Sequence, residues 1–158
     1  MYLVIFDKKV NIGKYAFSFT KLTSVTIPDK MDIPEGAFSE CVDLATVVIG
    51  NDVKIGKYAF SMDKDRAFKV QMYMEGDQKL FRYVFSSPLT SLTIGKNAVI
   101  GENAFSDCSS LNSIKIPDGV TSIGSSAFYN CKLLKTVTIG NGVTSIGENT
   151  FRYCNSLT

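Results

Sequence analysis

The chain has 158 residues, of which 45% are hydrophobic and 20% charged, a composition typical of a folded domain with a sizeable core. Its 17 basic and 15 acidic residues give a formal charge of +2, which is too balanced for the long basic surface that binds nucleic acid. No apolar run approaches the length of about 18 residues that spans a membrane, and the short apolar opening precedes Lys8 and Lys9 instead of following positive charge. The sequence therefore predicts no nucleic-acid partner, no membrane insertion and no signal peptide.

A hexad of the form Ile-Gly-x-x-Ala-Phe recurs along the chain. Clear copies begin at Ile12, Ile55, Ile100 and Ile123, and degenerate copies begin at Ile33, Leu80 and Ile146. Each copy ends in an anchor phenylalanine, and these are Phe17, Phe38, Phe60, Phe85, Phe105, Phe128 and Phe151. Successive anchors are 20 to 25 residues apart, a spacing typical of a solenoid in which each repeat forms one coil.

A second block, of the form Leu-x-x-Val-x-Ile, follows each of the first six anchors. Its alternation of apolar and polar residues, with many β-branched side chains, predicts a short strand. The blocks begin at Leu22, Leu44, Ala67, Leu89, Leu111 and Leu134, and Leu3 and Ile5 fit the end of an earlier one. We therefore expect seven strands, most of them followed by a turn such as Pro28-Asp29 or Gly140-Asn141.

One coil cannot bury its own apolar residues, but stacked coils bury them all, with roughly 1.5 to 3 kcal/mol for each fully covered side chain. The sequence therefore predicts a single β-rich solenoid domain over residues 1–158, wound as a right-handed coil. We expect a parallel sheet of about seven short strands on one face and short helical or 3₁₀ turns opposite, with the hexad glycine allowing a tight bend. Neither end shows a capping repeat, so we expect the segment to belong to a longer array.

The unit at 122–140 reads Ser-Ile-Gly-Ser-Ser-Ala-Phe-Tyr-Asn-Cys-Lys-Leu-Leu-Lys-Thr-Val-Thr-Ile-Gly. It resembles the units of BspA-like leucine-rich repeats, which occur in bacterial and protist surface proteins. The resemblance extends over almost the whole chain and is weakest between residues 61 and 97. It implies a leucine-rich-repeat fold and a role in adhesion or recognition, at the cell surface or outside the cell.

Four cysteines, Cys41, Cys108, Cys131 and Cys154, each lie three residues after an anchor phenylalanine and so occupy the same point on the coil. A ladder of small, buried, reduced thiols explains this position without any function. The alternatives are a disulfide between neighbouring coils, which requires Cα atoms within about 7 Å, and a zinc site. Zinc would lack a fourth ligand because the chain has no histidine, and we expect no metal or cofactor.

The absence of histidine also removes the commonest general base, and with it nucleophiles activated by a histidine. The acidic residues Asp29, Asp118, Glu102 and Glu148 occupy predicted turn or coil-surface positions, where solvated carboxylates are expected. We therefore expect the chain not to be an enzyme.

The outward positions of the predicted strands carry mostly small hydroxyl residues, the surface that leucine-rich repeats most often use for binding. Strand propensity and solubility also account for such residues. As contacts for a protein or glycan ligand we select Lys69, Gln71, Tyr73, Thr93, Lys115 and Thr138. Tyr73 is the strongest candidate, because tyrosine is enriched at binding hot spots and this one lies in the most irregular segment, 62–83.

Two other functions remain open. Ladder residues at the two ends, among them Leu3, Ile5 and Leu157, would be exposed in the isolated chain and favour a homo-oligomer assembled through the solenoid ends. An ice-binding surface would need a flat threonine array, of which Thr136 and Thr138 are the best fragment.

Overall fold

The computed structural model describes residues 2–62, 68–75, 78–85 and 87–158, and for 68–75 and 78–85 it describes the backbone alone. In chain order the strands are β1 Leu3–Ile5, β2 Ser24–Ile27, β3 Thr46–Ile49, β4 Lys54–Ile55, β5 Phe68–Glu75, β6 Gln78–Phe85, β7 Ser91–Thr93, β8 Val99–Ile100, β9 Ser113–Ile116, β10 Ser122–Ile123, β11 Thr136–Ile139 and β12 Ser145–Ile146. The rest of the described chain forms turns and irregular segments. Within these ranges, no helix has the length and apolarity needed to cross a membrane.

The longer strands form the face that we call the strand face. Strands β1, β2, β3 and β7 pair in that order, all in parallel, and β9 and β11 form a second parallel pair next to β7. Equivalent apolar residues face one another, so that Val47 lies between Val25 and Leu92. Val25 and Val47 are completely buried. The predicted solenoid of coils stacked in register is confirmed.

A second parallel sheet, which the sequence did not suggest, runs along the first residues of the four hexads that begin at Ile55, Ile100, Ile123 and Ile146. Its strands β4, β8, β10 and β12 have two residues each and end at the hexad isoleucine. Ile100 pairs with Ile55 on one side and with Ile123 on the other, and all three are buried. Two residues are too few to show an alternating pattern, which is why the sequence suggested only a turn here.

Six anchor phenylalanines form one continuous stack along the core. Consecutive ring centroids are 5.1, 5.2, 5.4, 5.3 and 5.7 Å apart, and neighbouring rings lie within 12° of parallel. In chain order the rings belong to Phe17, Phe38, Phe60, Phe105, Phe128 and Phe151. We number the six coils by these anchors. Offset stacking of this kind adds to the burial of each ring.

The stack passes directly from Phe60 to Phe105, so the coil predicted around Phe85 does not exist. Strand β3 pairs with β7, while β5 and β6 pair only with each other as an antiparallel hairpin. The prediction of a fourth parallel strand at 67–72 is therefore wrong, and six of the seven predicted strands form the strand face. The spacing explains the insertion: Leu89 lies 29 residues after Phe60, whereas Leu111 lies six after Phe105, a difference of 23.

The turns opposite the strands are not helical, contrary to the prediction. The fourth hexad position has a left-handed backbone in every coil, with φ between 53° and 61°, at Tyr15, Gly36, Tyr58, Asn103, Ser126 and Asn149. A second left-handed residue follows four positions later in five coils, as at Asp107. Alternate amides of this turn bond to the next coil, as Phe17 N–H does to the Ala37 carbonyl at 2.9 Å, while the Ala16 and Ser18 amides donate within the turn. A helix would have kept these bonds within one coil.

The hexad glycines serve close packing of the coils. A Cβ added to Gly101 would lie 2.4 Å from the carbonyl oxygen of Ile55, and one on Gly147 would lie 2.4 Å from the amide nitrogen of Ser125. Neither glycine has a positive φ. The expectation that the hexad glycine allows the tight bend is therefore wrong. The residue with the left-handed backbone lies two positions after this glycine in the hexad.

We predict that deleting residues 63–85 leaves the solenoid cooperatively folded, because the deletion restores the six-residue spacing between Phe60 and Leu89. Urea unfolding should remain a single transition, and hydrogen exchange should still protect the amides that join the third and fourth coils. As a control, Phe105→Ala in the full chain should lower the free energy of unfolding by about 3 to 5 kcal/mol, since that ring is fully buried. Loss of the cooperative transition on deletion would show that the hairpin is part of the core.

Candidate binding surfaces

The outward residues of the strand face form a narrow strip along the solenoid. Val48 lies opposite Thr26 and Thr93, and Thr138 lies opposite Lys115. Thr93, Lys115 and Thr138 are exposed. The structure therefore places three of the six predicted contact residues on one surface.

The other three, Lys69, Gln71 and Tyr73, lie on β5, which pairs with β6 and not with the parallel sheet. The expectation that they continue the strip is wrong for the reason given above: they belong to the inserted hairpin. Their side chains, and all of residues 63–67, lie outside the described part of the chain. Their role in binding stays a prediction.

The strip is weakly charged. Its outward residues on β7, β9 and β11 are Ser91, Thr93, Ser113, Lys115, Thr136 and Thr138. Val48 and Lys115 interrupt the threonine row, so the strip lacks the uniform array that an ice-binding surface needs. Within each of the two sheets the main-chain groups pair between neighbouring strands, so hydroxyl and methyl groups of the side chains provide most of the contact surface.

A second, concave surface lies on the turn side and was not predicted. This turn-face groove has a volume of about 820 Å³. Its aromatic residues are Tyr15, Phe19, Tyr58, Tyr129 and Tyr153. Its hydrogen-bonding and charged residues include Glu40, Asn103, Asp107, Asn130 and Lys132. The groove therefore combines exposed rings with polar groups over most of the length of the solenoid.

The left-handed backbone positions produce the groove. Tyr15, Tyr58 and Asn103 occupy the first left-handed position of their coils, and Asp107 and Asn130 the second. Between the two columns lie serines whose hydroxyls are held by their own turns, as Ser39 Oγ donates to the Gly36 carbonyl at 3.0 Å. Four coils have a serine at this position, while Tyr129 and Arg152 take it in the fifth and sixth coils. The two columns run along the solenoid axis, and the groove follows them.

The ring of Tyr15 is held from two sides. A Cβ on Gly36 would lie 2.1 Å from Tyr15 Cε1, so the ring packs directly against the glycine backbone. The Tyr15 hydroxyl donates to Glu35 Oε1 at 3.0 Å, and Lys14 Nζ contacts Glu35 Oε2 at 2.9 Å. The hydrogen bonds from Lys14 and Tyr15 lower the pKa of Glu35, which keeps the carboxylate charged as an acceptor.

The other rings are held in similar ways. Lys57 Nζ lies 5.1 Å from the centroid of the Tyr58 ring and pairs with Glu102 at 2.9 Å. Tyr129 and Tyr153 pack edge to face, with centroids 5.3 Å apart. These contacts fix the rings before any ligand arrives.

Residues 2–71 and 77–158 match the family model of the BspA type leucine-rich repeat region, in six copies. The chain belongs to this family. The six copies agree with the six coils of the anchor stack, and the resemblance seen in the 122–140 unit is confirmed.

Two crystal structures resemble the whole of this BspA-type chain. One is a leucine-rich repeat protein from Bacteroides ovatus, with a TM-score of 0.74 and 27% identity, matched over 99% of this chain and 36% of that one. The other is a leucine rich cell surface protein from Faecalibacterium prausnitzii, with a TM-score of 0.62 and 25% identity, over 100% and 46%. The chain thus spans less than half the length of either protein. No curated protein matches it.

The four cysteines of this BspA-type repeat belong to the core and not to either surface. All four are buried and free. Each thiol donates a hydrogen bond to the carbonyl of the anchor phenylalanine in the preceding coil: Cys41 to Phe17 at 3.1 Å, Cys108 to Phe60 at 3.6 Å, Cys131 to Phe105 at 3.5 Å and Cys154 to Phe128 at 3.2 Å. Among the described residues, no group of three His, Cys, Asp or Glu is arranged to hold a metal ion.

Burial raises the pKa of Cys108 to about 12, against about 8.5 for an exposed thiol. The unfolded thiol ionises first, so the stability contributed by the buried neutral thiol is complete below about pH 8.5 and is lost as the pH rises towards 12. We predict that the free energy of unfolding falls less steeply with rising pH in Cys108→Ala than in the wild type, by up to about 1.4 kcal/mol per pH unit. Urea titrations between about pH 8 and 10.5 measure this, and equal slopes would contradict it.

Proposed function

We propose that this BspA-type chain is a non-enzymatic recognition module that acts outside the cell and holds a protein partner on its strand face. The observation that carries the proposal is the strip of outward residues on strands that are paired in register. It is supported by the family, whose members are repeat proteins of cell surfaces, and by the printed description of one structural neighbour as a cell surface protein. An adhesive role follows if the partner belongs to another surface.

The rigidity of the strip supports binding. Thr93 and Thr138 lie on backbones already fixed by parallel pairing, so little conformational entropy is lost when a partner docks. Since Lys115 is the one charged side chain among the outward residues of β7, β9 and β11, contacts there would be mainly hydroxyl and aliphatic. We therefore expect binding that depends only weakly on salt concentration.

The carboxylates that sequence reasoning assigned to turns support a non-enzymatic role. Asp29 Oδ1 accepts the backbone amide of Asn51 at 2.7 Å, and Asp118 Oδ1 accepts that of Asn141 at 3.0 Å. Both carboxylates thus join the turn of one coil to the turn of the next. Together with the absence of histidine from the chain, this favours a structural use of the acidic residues.

We predict that Thr93→Arg combined with Thr138→Arg weakens binding to a protein partner by about tenfold or more, because two bulky cations would interrupt the strip. The partner would first be selected by probing the wild-type chain against an array of purified extracellular proteins, and affinities would then be measured by biolayer interferometry. Thr121→Arg is the matched control, since Thr121 is an exposed threonine outside the strip.

Two outcomes would move the site. Wild-type affinity in the double variant would remove it from the strand face. Loss of binding in Tyr73→Ala or Lys69→Ala, with the double variant unaffected, would place it on the inserted hairpin.

A second candidate function is self-association through the solenoid ends. Leu3 and Ile5 lie opposite Ser24 and Thr26 and face outward, so the expectation that they belong to the ladder is wrong; Val4 takes the inward position.

The residues at the two ends of the ladder are less covered than those inside it. Val4 is only partly buried whereas Val25 opposite is 0% exposed, and Ile146 is 49% exposed whereas Ile123 opposite is 2% exposed. A second copy that stacked in register would bury them and pair the open strand edges.

For self-association we predict dimers or larger assemblies of the isolated chain at concentrations in the tens of micromolar, measured by light scattering. Ile146→Lys should shift the population towards monomer by placing a charge in the contact. A wild-type chain that stays monomeric would reject end-to-end assembly.

A further inference from the structure

We infer that Cys131 and Cys154 form a site of oxidation, at which a disulfide joins the fifth coil to the sixth. The structure holds both thiols in the reduced form. Register, side-chain direction and the contact between the two thiols set this pair apart from the other cysteines of the ladder. The site belongs to neither of the two binding surfaces.

The two cysteines occupy the same position of neighbouring coils. Each lies three residues after its anchor phenylalanine, and the two anchor rings stack with centroids 5.7 Å apart. Just before the cysteines, the Asn130 amide donates to the Arg152 carbonyl at 2.8 Å. Backbones bonded in this way lie about 4.8 Å apart. The Cα atoms of Cys131 and Cys154 therefore fall within the separation that a disulfide spans, about 4.4 to 6.8 Å.

The side chain of Cys154 is directed towards the coil of Cys131. Its thiol donates to the Phe128 carbonyl of that coil at 3.2 Å. The Cys131 thiol has a longer bond, of 3.5 Å, to the Phe105 carbonyl. Rotation of Cys131 about its Cα–Cβ bond to another staggered conformation turns the sulfur away from that carbonyl. The thiol that has to turn is thus the one with the weaker hydrogen bond.

The two thiols already interact with each other. Hydrogen bonding with Cys131 lowers the pKa of Cys154, and the same contact raises the pKa of Cys131. Cys108, one coil earlier, acts on Cys131 only through its charge. The pKa of Cys108 itself is raised by burial and lowered to a smaller extent by hydrogen bonding with Ser87, not with Cys131. The closest contact in this part of the ladder therefore joins Cys131 to Cys154.

The remaining cysteine, Cys41, has no cysteine at the equivalent position of the coil before it or after it. Thr20 and Asp63 occupy those positions in the sequence. The Cys41 sulfur lies 3.3 Å from Thr20 Oγ1. This thiol therefore serves as a control that shares the position in the coil but lacks a partner for a disulfide.

Thiol–disulfide exchange with a small disulfide such as oxidised glutathione supplies the reaction. The Cys154 thiolate attacks one sulfur of glutathione disulfide, and a glutathione thiolate leaves. The Cys131 thiolate then attacks the Cys154 sulfur of the mixed disulfide, and the second glutathione thiolate leaves. The two cysteines lose two electrons, and their two protons pass through solvent to the leaving thiolates. One disulfide of the oxidant thus becomes two thiols.

Cys154 reacts first for two reasons. Its pKa is lowered whereas that of Cys131 is raised, so it has the larger thiolate fraction. Cys154 is also 8% exposed, whereas Cys131 is completely buried. The environment outside the cell, which belongs to the proposed function, maintains disulfides. The chemistry of the pair can be tested without that assumption.

The test uses the purified full chain, which is reduced and then equilibrated with a mixture of reduced and oxidised glutathione at about pH 8. The remaining thiols are alkylated, and trypsin then places each cysteine in a separate peptide. We expect mass spectrometry to find residues 116–132 linked to residues 153–158. In urea, the oxidised chain should have an unfolding constant about a hundredfold lower than the reduced chain, because the bond closes a loop in the unfolded state.

Two variants control the measurement, and circular dichroism establishes that each is folded. Cys154→Ser should lose both the linked peptide and the difference in urea between the oxidised and the reduced chain. Cys41→Ser should form the linked peptide as the wild type does. The strand-face double variant, Thr93→Arg with Thr138→Arg, should also oxidise like the wild type. Since no binding partner is needed, failure of this inference is distinguishable from failure of the proposed function.

Four results would overturn the inference. All cysteines could remain reduced at equilibrium with oxidised glutathione, or the reaction could stop at the mixed disulfide of Cys154. Residues 97–115 could be linked to residues 116–132, which would pair Cys108 with Cys131 instead. The link could also join two different chains, which a non-reducing gel would show.

Discussion

The structure depends on contact between one coil and the next in strict register. Each coil buries its anchor ring and its strand residues only against its neighbours, as Phe105 does between Phe60 and Phe128. The backbone of each coil also bonds to its neighbours. On the strand face the bonds are those of parallel strand pairing, and on the turn side amides of one coil donate to carbonyls of the next. Stability of this kind is a sum of nearest-neighbour terms, so it tolerates variation at any side chain that faces away from the stack.

The coil and its core were predictable from the sequence because they depend on features that recur in every repeat. The exception, at 61–85, is instructive. Phe85 has the right spacing for an anchor, but its hexad keeps only the two apolar ends, with Phe81 in place of the glycine and Val84 in place of the alanine. The second coil, which has Pro34 in place of the glycine, keeps Ala37. Two alternating runs separated by Gly76-Asp77 were the signature of a hairpin. Spacing alone was therefore a weaker criterion than the small residues inside the hexad.

The sequence predicted the strand-face strip but not the turn-face groove. The strand strip follows from a period of two, so Thr93, Lys115 and Thr138 were placed correctly from alternation. The groove depends on a left-handed backbone at fixed positions of the coil whose residue type differs from coil to coil. A repeat pattern read from conserved residue types does not show such positions. Asparagine and aspartate at Asn103, Asp107 and Asn130 were the available signal, since these residues adopt positive φ more readily than most. The tyrosines at the first left-handed position, Tyr15 and Tyr58, gave no such signal.

The hairpin leaves and rejoins the solenoid without disturbing it, since Met62 N–H donates to the Ser106 carbonyl at 3.0 Å just before the hairpin departs. The third and fourth coils therefore contact each other directly despite the insertion, as the stacking of Phe60 on Phe105 also shows. A segment joined in this way can change in length or sequence without altering how the flanking coils pack, because those coils contact each other directly.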